Sequence, residues 1–551
     1  MSNFSNKKLQ LANLRMLIVK FKKLKIYTAI ISYQMAEQAS SDKIFTIDGL
    51  IRLGHYTIFL CITTEFLVLS QLGNMFYMVY AGAAPTIKSC GAYKFNSSMS
   101  SSDICKQIYT LDGNETCQPE LEYDFKSMNV EFEYVCHNSK YVKHSISIQM
   151  IGAVIGSLIF GQLSDLYGRK PVLLFCVSGC IIFGFISSFS KDLLTATIYR
   201  TIIGLFNGGQ IAAMFVYVVE MLPKKDRIWV TTLISFSPNV ILLAIMAYYS
   251  QNWRQLAIVV SFLTSPAILL CILSYESPRW LIQKGRINEA HHVLKQITRW
   301  NGRNDVTNDM IEEVIDAERE ILREKRNRRN YYIYHLFHTR QLTTYILVLS
   351  YSFLAASMIN YGMLFSMEKL PGSIYTNNIM LGLIRYAVNV ASVLTDYTQG
   401  WFGRRVAHTI PLALTSTGFI IHFIIICSGL STELEIVSRI ATLMAFAMMS
   451  QIYIITGMSG NELFPTPLRS MCFSFLQVVG RIGVVFAPQL FFLADFWTPA
   501  PFVALIMFAL SDLVLYLIFI PETKDQPLPE RLSTTANTIS SQLQTKQLMN
   551  S

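Results

Sequence analysis

Gly161-Gln-Leu-Ser-Asp165-Leu-Tyr-Gly168-Arg169-Lys170-Pro171 joins two long apolar runs through a very short reversal. Gly168 permits the reversal, Arg169 and Lys170 hold one membrane surface, and Pro171 can open the next helix because a first turn does not need its N–H. The pattern returns as Gly403-Arg404-Arg405, 235 residues later (403 minus 168). A second pair runs alongside it, Glu220-Met-Leu-Pro223-Lys-Lys-Asp-Arg227 and Glu462-Leu-Phe-Pro465-Thr-Pro-Leu-Arg469, 242 residues apart (462 minus 220). Arg200 and Arg439 open the two helices that end in these Glu-Pro-Arg patterns. Near-constant separation of several elements predicts two homologous six-helix halves able to rock around a central site.

The apolar runs on either side of this stretch predict spans at roughly 54–80, 144–166, 171–190, 195–220, 228–250 and 255–275, then 342–366, 376–398, 406–428, 436–458, 468–494 and 499–520. The expected fold is an all-α membrane protein of twelve helices. Its parts are an N-terminal segment (1–50), a first half (51–275) with a large loop (81–143), a helical connector (276–341), a second half (342–520) and a tail (521–551). The chain is 52% hydrophobic and 15% charged, with the apolar residues in runs rather than on one face, which excludes most soluble enzymes and disordered scaffolds. Lysines scattered through residues 1–50 argue against a cleaved signal peptide, so the first span is expected to stay.

The formal charge of +10 gathers on alternate connections: the N-terminal segment, Arg169 and Lys170, Lys224 to Arg227, 279–340, and Arg404 and Arg405. That distribution argues for a cytoplasmic face carrying both termini, not for nucleic acid. The run Arg323 to Asn330 is read as a solvated juxtamembrane helix in preference to an RNA or anionic-lipid site. The opposite face carries Cys90, Cys105, Cys117 and Cys136 beside the acceptor patterns at Asn96 and Asn114, as expected of an oxidised, glycosylated extracellular loop with two disulfides in any of three pairings. The other six cysteines fall inside spans, and no metal spacing occurs.

Gly161 to Pro171 resembles the signature cytoplasmic loop of the major facilitator superfamily. More narrowly, YESPRWLIQKGR (Tyr275 to Arg286), NELFPTPLRS (Asn461 to Ser470) and PETKDQPLPE (Pro521 to Glu530) resemble the organic-ion transporter family of organic cation, organic anion and carnitine carriers. The resemblance covers roughly residues 50–530. It implies a plasma-membrane carrier of small organic ions that works by alternating access, without ATP or a cofactor. Gating charges are expected at Asp165, Gly168, Arg169, Lys170, Glu220, Arg227, Arg404, Arg405, Glu462 and Arg469, with Glu220–Arg227 and Glu462–Arg469 as pairs. One departure stands out. Gly400 occupies the place of Asp165 in the second repeat, with Asp396 one turn away as a stand-in.

A charge inside a span usually faces water and a partner. Arg481 lies well inside the eleventh span, with Gly480 and Gly483 leaving room beside it. It matches a position that the resemblance associates with Arg in anion and carnitine carriers and Asp in cation carriers, and Arg can grip a carboxylate through two parallel hydrogen bonds. Arg385 in the eighth span is a second cation. Glu65 in the first span can neutralise one of them, bind an ammonium group or take a proton. Tyr361 matches a cavity tyrosine of the related carriers, and Gln210, Tyr217 and Tyr453, with Asn207, complete the candidates. These residues point to organic anions or zwitterions. The alternatives are an organic-cation carrier bound through Glu65 and a transport-inactive receptor or scaffold. No set of nucleophile and base, no phosphate loop and no metal cluster supports an enzyme.

Overall fold

The computed structural model describes residues 47–524 apart from 52, 91–92, 96–103, 109–118, 224–235, 304, 327–332, 431–432 and 466–467. Arg227, Cys117, Asn96, Asn114 and most of the terminal segments therefore lie outside the described residues. The first half consists of α1 (His55–Met75), α2 (Ser139–Tyr167), α3 (Arg169–Ser187), α4 (Leu193–Met221), α5 (Phe236–Ser250) and α6 (Trp253–Thr264, resumed as Pro266–Leu273). The second half is α7 (Arg340–Leu364), α8 (Ile374–Thr398), α9 (Arg404–Cys427), α10 (Glu435–Leu463), α11 (Arg469–Leu490) and α12 (Ala500–Phe519). Eleven of these segments are long and apolar enough to cross a membrane, and the fifth, described only from Phe236, is a shorter apolar helix.

Local chemistry sets the boundaries. Asp192 caps α4 by accepting from the Thr195 N–H at 3.0 Å, Asn252 caps α6 by accepting from Arg254, and Thr339 caps α7. Gly168 ends α2 and starts α3 at φ +118°, a conformation that penalises any side chain. Pro266 interrupts α6 after Ser265. Arg200 and Arg439 do not open their helices. The caps lie earlier, so each arginine sits inside the first turns.

α2 and α4 form the closest helix pair. A Cβ on Gly156 would lie 1.8 Å from the Leu205 carbonyl oxygen, and one on Gly208 would lie 2.0 Å from that of Ala153. Gly152 and Gly204 continue the contact, so small residues let the two backbones touch where apolar lipid offers no hydrophobic drive.

The loop after α1 carries a sheet that the sequence pattern does not announce, in the order β2 (Tyr93–Lys94), β1 (Thr86–Cys90), β3 (Pro119–Glu122), all antiparallel. Cys105 and Cys136 form a disulfide, and Cys90 is also disulfide-bonded. Cys61, Cys176, Cys180, Cys271, Cys427 and Cys472 are free, and Cys427 is exposed at the end of α9 rather than packed. Glu131 receives the Trp253 indole N–H and pairs with Arg254 at 2.7 Å, which seats the loop on the start of α6.

Burial differs between the two ends. On the loop side one continuous core takes residues from both halves, from Leu72, Met150 and Val260 to Ile359, Phe446 and Val484. On the connector side the core divides. One part unites the first half with the connector through Trp280, Leu294 and Ile311, and the other holds Leu349, Phe464 and Leu476 of the second half. Connector helix Ile287–Trp300 stacks Trp300 on Phe59 at 5.1 Å, and Asn301 accepts from the Tyr56 N–H, so the connector travels with the first half.

The α2–α4 contact yields the first prediction. Gly208→Ala should cost the purified protein about 2 kcal/mol, read as a lower thermal midpoint in detergent. Gly400→Ala, with open space around the new methyl group, should change it by no more than about 0.5 kcal/mol. Equal effects would contradict the packing described.

Candidate functional site

Two four-part charge clusters close the connector end, one in each half. Arg169, at the start of α3, pairs with Asp165 at 2.5 Å and with Glu220 of α4 at 3.0 Å. Arg404, at the start of α9, pairs with Asp396 at 3.0 Å and Glu462 of α10 at 3.1 Å. The carboxylate missing at Gly400 is thus supplied by Asp396, one turn earlier. Lys170 caps α6 by donating to the carbonyls of Ile272 and Ser274, and Arg405 caps α12 by donating to that of Leu517.

Glu276 and Glu522 complete the clusters, and neither was among the expected gating residues. Glu276 accepts from the Arg169 and Lys170 N–H groups, as Glu522 does from those of Arg404 and Arg405, so each carboxylate caps the N-terminus of a helix. Their separation, 246 residues (522 minus 276), matches the other repeats, and that was the signal available in the sequence. Burial raises the Glu276 carboxyl above its usual range in spite of these donors. Burial also acts on Glu522, but four backbone N–H groups outweigh it and hold the carboxyl low.

One expectation needs correction. Arg469 does not pair with Glu462; it turns back onto the Phe464 carbonyl at 3.1 Å, because Arg404 and the Thr523 hydroxyl already occupy Glu462. The clusters do not bridge the halves among the described residues. Every partner named lies in the same half, so in this state they stiffen each half.

Contacts between halves concentrate on the loop side. Lys143 of α2 meets Glu368, beyond α7, at 2.9 Å with both side chains 10% exposed, and Lys143 also donates to the Phe365 carbonyl. Ser147 donates to the Val485 carbonyl and accepts from Gln489, while the Tyr375 hydroxyl donates to the Asp124 carbonyl. Near the connector side the halves touch through the stacked rings of Phe215 and Phe473, 5.5 Å apart.

The membrane interior holds the candidate ligand residues. Arg385 donates to Asn360 and lies 5.3 Å over the Phe446 ring, so it is largely answered by protein. Arg200, absent from the expected list, donates to the Asn74 carbonyl at 2.7 Å and lies 3.9 Å over Tyr77. Arg481 makes no hydrogen bond or ion pair among the described residues, and Tyr361 lies within electrostatic reach of both Arg481 and Arg385. Gly480 and Gly483 face α7: a Cβ added to Gly480 would lie 3.3 Å from the Phe353 ring, and one added to Gly483 would lie 2.8 Å from the Leu354 carbonyl oxygen. They seat the helix rather than make room for Arg481, which helical geometry turns away from that contact. Tyr361 edges Phe76 of the first half, and Tyr453 donates to Ser357 at 3.0 Å.

Glu65 neutralises neither arginine; it accepts from Asn239 of α5 at 2.8 Å. Gln210 and Tyr217 stand outside this group. Gln210 is fully buried and donates to the Leu67 carbonyl, as Asn207 does to that of Gln71, fastening α4 to α1. Tyr217, 1% exposed near the connector end, donates to the Tyr275 carbonyl. Polar residue type alone does not distinguish such a fastening from a ligand contact. Among the described residues no group of three metal-ligating side chains forms.

The charge clusters predict unequal losses. Asp165 is 72% exposed and Glu220 18%, so Asp165→Asn should cost less than about 1 kcal/mol and Glu220→Gln about 3 kcal/mol in thermal stability. The reverse order would contradict the assignment of Glu220 as the principal partner.

The family model described as sugar (and other) transporter matches residues 71–531. The organic cation transporter protein of Drosophila melanogaster is 27% identical over 442 residues, 77% of either chain. The organic cation/carnitine transporter 2 of Rattus norvegicus is 28% identical over 432 residues, 76% of this chain and 74% of the relative. Among solved structures, the xylose transporter XylE from E. coli, in a partially occluded inward-open conformation, is similar in fold. Its TM-score is 0.58 at 15% identity, over 86% of this chain and 100% of its own.

Proposed function

The chain belongs to the sugar (and other) transporter family, within the major facilitator superfamily, as a multi-pass membrane transporter of the organic-ion type and not an enzyme, and from that premise we propose that it carries small organic anions or zwitterions across the plasma membrane. The observation that carries this reading is Arg481, a cation in mid-membrane that has no protein partner among the described residues and stands beside Tyr361. An unanswered guanidinium in hydrocarbon is too costly to keep unless it faces water or a ligand. A carboxylate or sulfonate matches it in charge and in its two-point geometry.

In this reading Tyr361, Tyr453 and Arg385 line the wall around the bound anion, while Glu65 offers a carboxylate to the ammonium end of a zwitterion. The connector side is cytoplasmic. The loop-side contacts, led by Lys143–Glu368, form the outer gate, closed in this state, and the two halves rock about the site as stiff bodies held by the Arg169 and Arg404 clusters. The cation-carrier reading draws on Glu65, which has no cationic partner among the described residues, and on the names of the relatives.

Uptake of labelled carnitine, benzoate and tetraethylammonium into expressing cells decides between them. Arg481→Ala should reduce carnitine or benzoate uptake at least about tenfold at equal surface expression. Tetraethylammonium uptake indifferent to Arg481→Ala and lost in Glu65→Gln would establish the cation reading instead, and a surface-expressed chain that moves none of the three would overturn both.

A further inference from the structure

Inside the second half, away from Arg481, His408 of α9 and Asp512 of α12 face each other, each with a fully buried side chain and 3.9 Å between Nε2 and Oδ2. Among the described residues neither imidazole nitrogen has a hydrogen-bond partner, nor does Asp512 Oδ2. The other carboxylate oxygen accepts from Ser352 of α7. The imidazole lies flat on Tyr516, with centroids 3.6 Å apart, and the Tyr516 hydroxyl bonds to Ser459 of α10 at 2.7 Å. We propose that His408 and Asp512 form a proton-binding site that ties the second half, and through it the Arg404 cluster, to pH.

Charge accounting supports a bound proton. One proton on the pair leaves it neutral overall, whether the proton sits on the imidazole or the carboxyl; with none the pair is −1, and with two it is +1. Only the first state avoids a net charge in the membrane interior. At 3.9 Å a shift of about 1 Å between α9 and α12 would bring the two atoms into hydrogen-bond range, so the proton's place responds to helix position. His408 lies one helical turn from Arg404, and Ser459 one turn before Glu462. The charges near the site are therefore those of the connector-end cluster: Arg404, Arg405, Asp396, Glu462 and Glu522, the last two within electrostatic reach of Tyr516. From α7 and α10 the contacting groups are neutral, Ser352 and Ser459.

The repeat supplies a second argument. Applying the separations established above, His408 corresponds to Leu173 (408 minus 235) and Asp512 to Pro266 (512 minus 246). There Leu173 is a buried apolar residue and α6 is interrupted at Pro266, so the first half carries no polar pair at these positions. The fold does not require the pair, and a buried ionisable pair gives little stability over apolar packing.

The site itself stands apart from the carrier reading, on which only its link to transport rests. The test is an infrared titration of the purified full chain in lipid bilayers, with buffer pH as the only variable. It should show a protonated-carboxyl band that titrates, is missing in Asp512→Asn, and has a displaced midpoint in His408→Gln. Titrating carboxyl bands identical in native and Asp512→Asn protein would overturn the site; should Asp512→Asn not fold, a midpoint unchanged in His408→Gln does so. Uptake of whichever of the three labelled ions is carried should change about threefold or more between pH ~5.5 and ~8 in the native chain and much less in His408→Gln. Coincident profiles would overturn the link, whereas absence of all uptake would sink the carrier reading and leave the infrared result to decide the site.

Discussion

A charge placed in hydrocarbon must be answered by an opposite charge, by a dipole or by water, and this constraint orders the interior of the molecule. Arg200 is answered by a carbonyl and a tyrosine ring, Arg385 by Asn360 and a phenylalanine ring, and Glu65 by Asn239. Arg169 and Arg404 each take two carboxylates at the membrane edge. Against that background Arg481 is the exception, and the proposed chemistry of the protein follows from it.

The same constraint makes each half a unit. With Arg169, Asp165, Glu220 and Glu276 satisfied among themselves, and Arg404, Asp396, Glu462 and Glu522 likewise, each half keeps these charges paired when the other moves. Among the described residues the halves meet through a shared apolar core, the Lys143–Glu368 pair and the hydrogen bonds of Ser147 and Tyr375 on the loop side, against a divided core and the Phe215–Phe473 ring stack on the connector side. A molecule with two self-sufficient halves and an uneven seam has an obvious way to move.

Much of the fold was legible because it is written in periods: apolar runs give the spans, and the doubled Gly-Arg and Glu-Pro-Arg patterns give the halves. The second carboxylate of the Arg404 cluster was also readable, since Asp396 lies one turn from the vacant position. Partner choice was not. Glu462 and Arg469 have the spacing of a pair, yet Arg404 reaches Glu462 from another helix, and sequence distance carries no information about such contacts. Gln210 and Tyr217 illustrate a related limit of sequence: each fastens a neighbouring backbone, a use that residue type alone does not separate from a ligand contact. The loop sheet escaped because its strands are short and only partly buried, so they show little apolar alternation.

The account depends most on Arg481 facing water. Its direct test is Arg481→Cys treated with a membrane-impermeant thiol reagent, compared with the native chain, which has six free cysteines among its described residues, in the presence and absence of carnitine or benzoate. The account predicts labelling at position 481 well above the native background, reached from the connector side in this state and suppressed by the ion that binds. A folded variant that stays unlabelled from both sides would mean that Arg481 is packed against protein or lipid, and the binding site would have to be sought elsewhere.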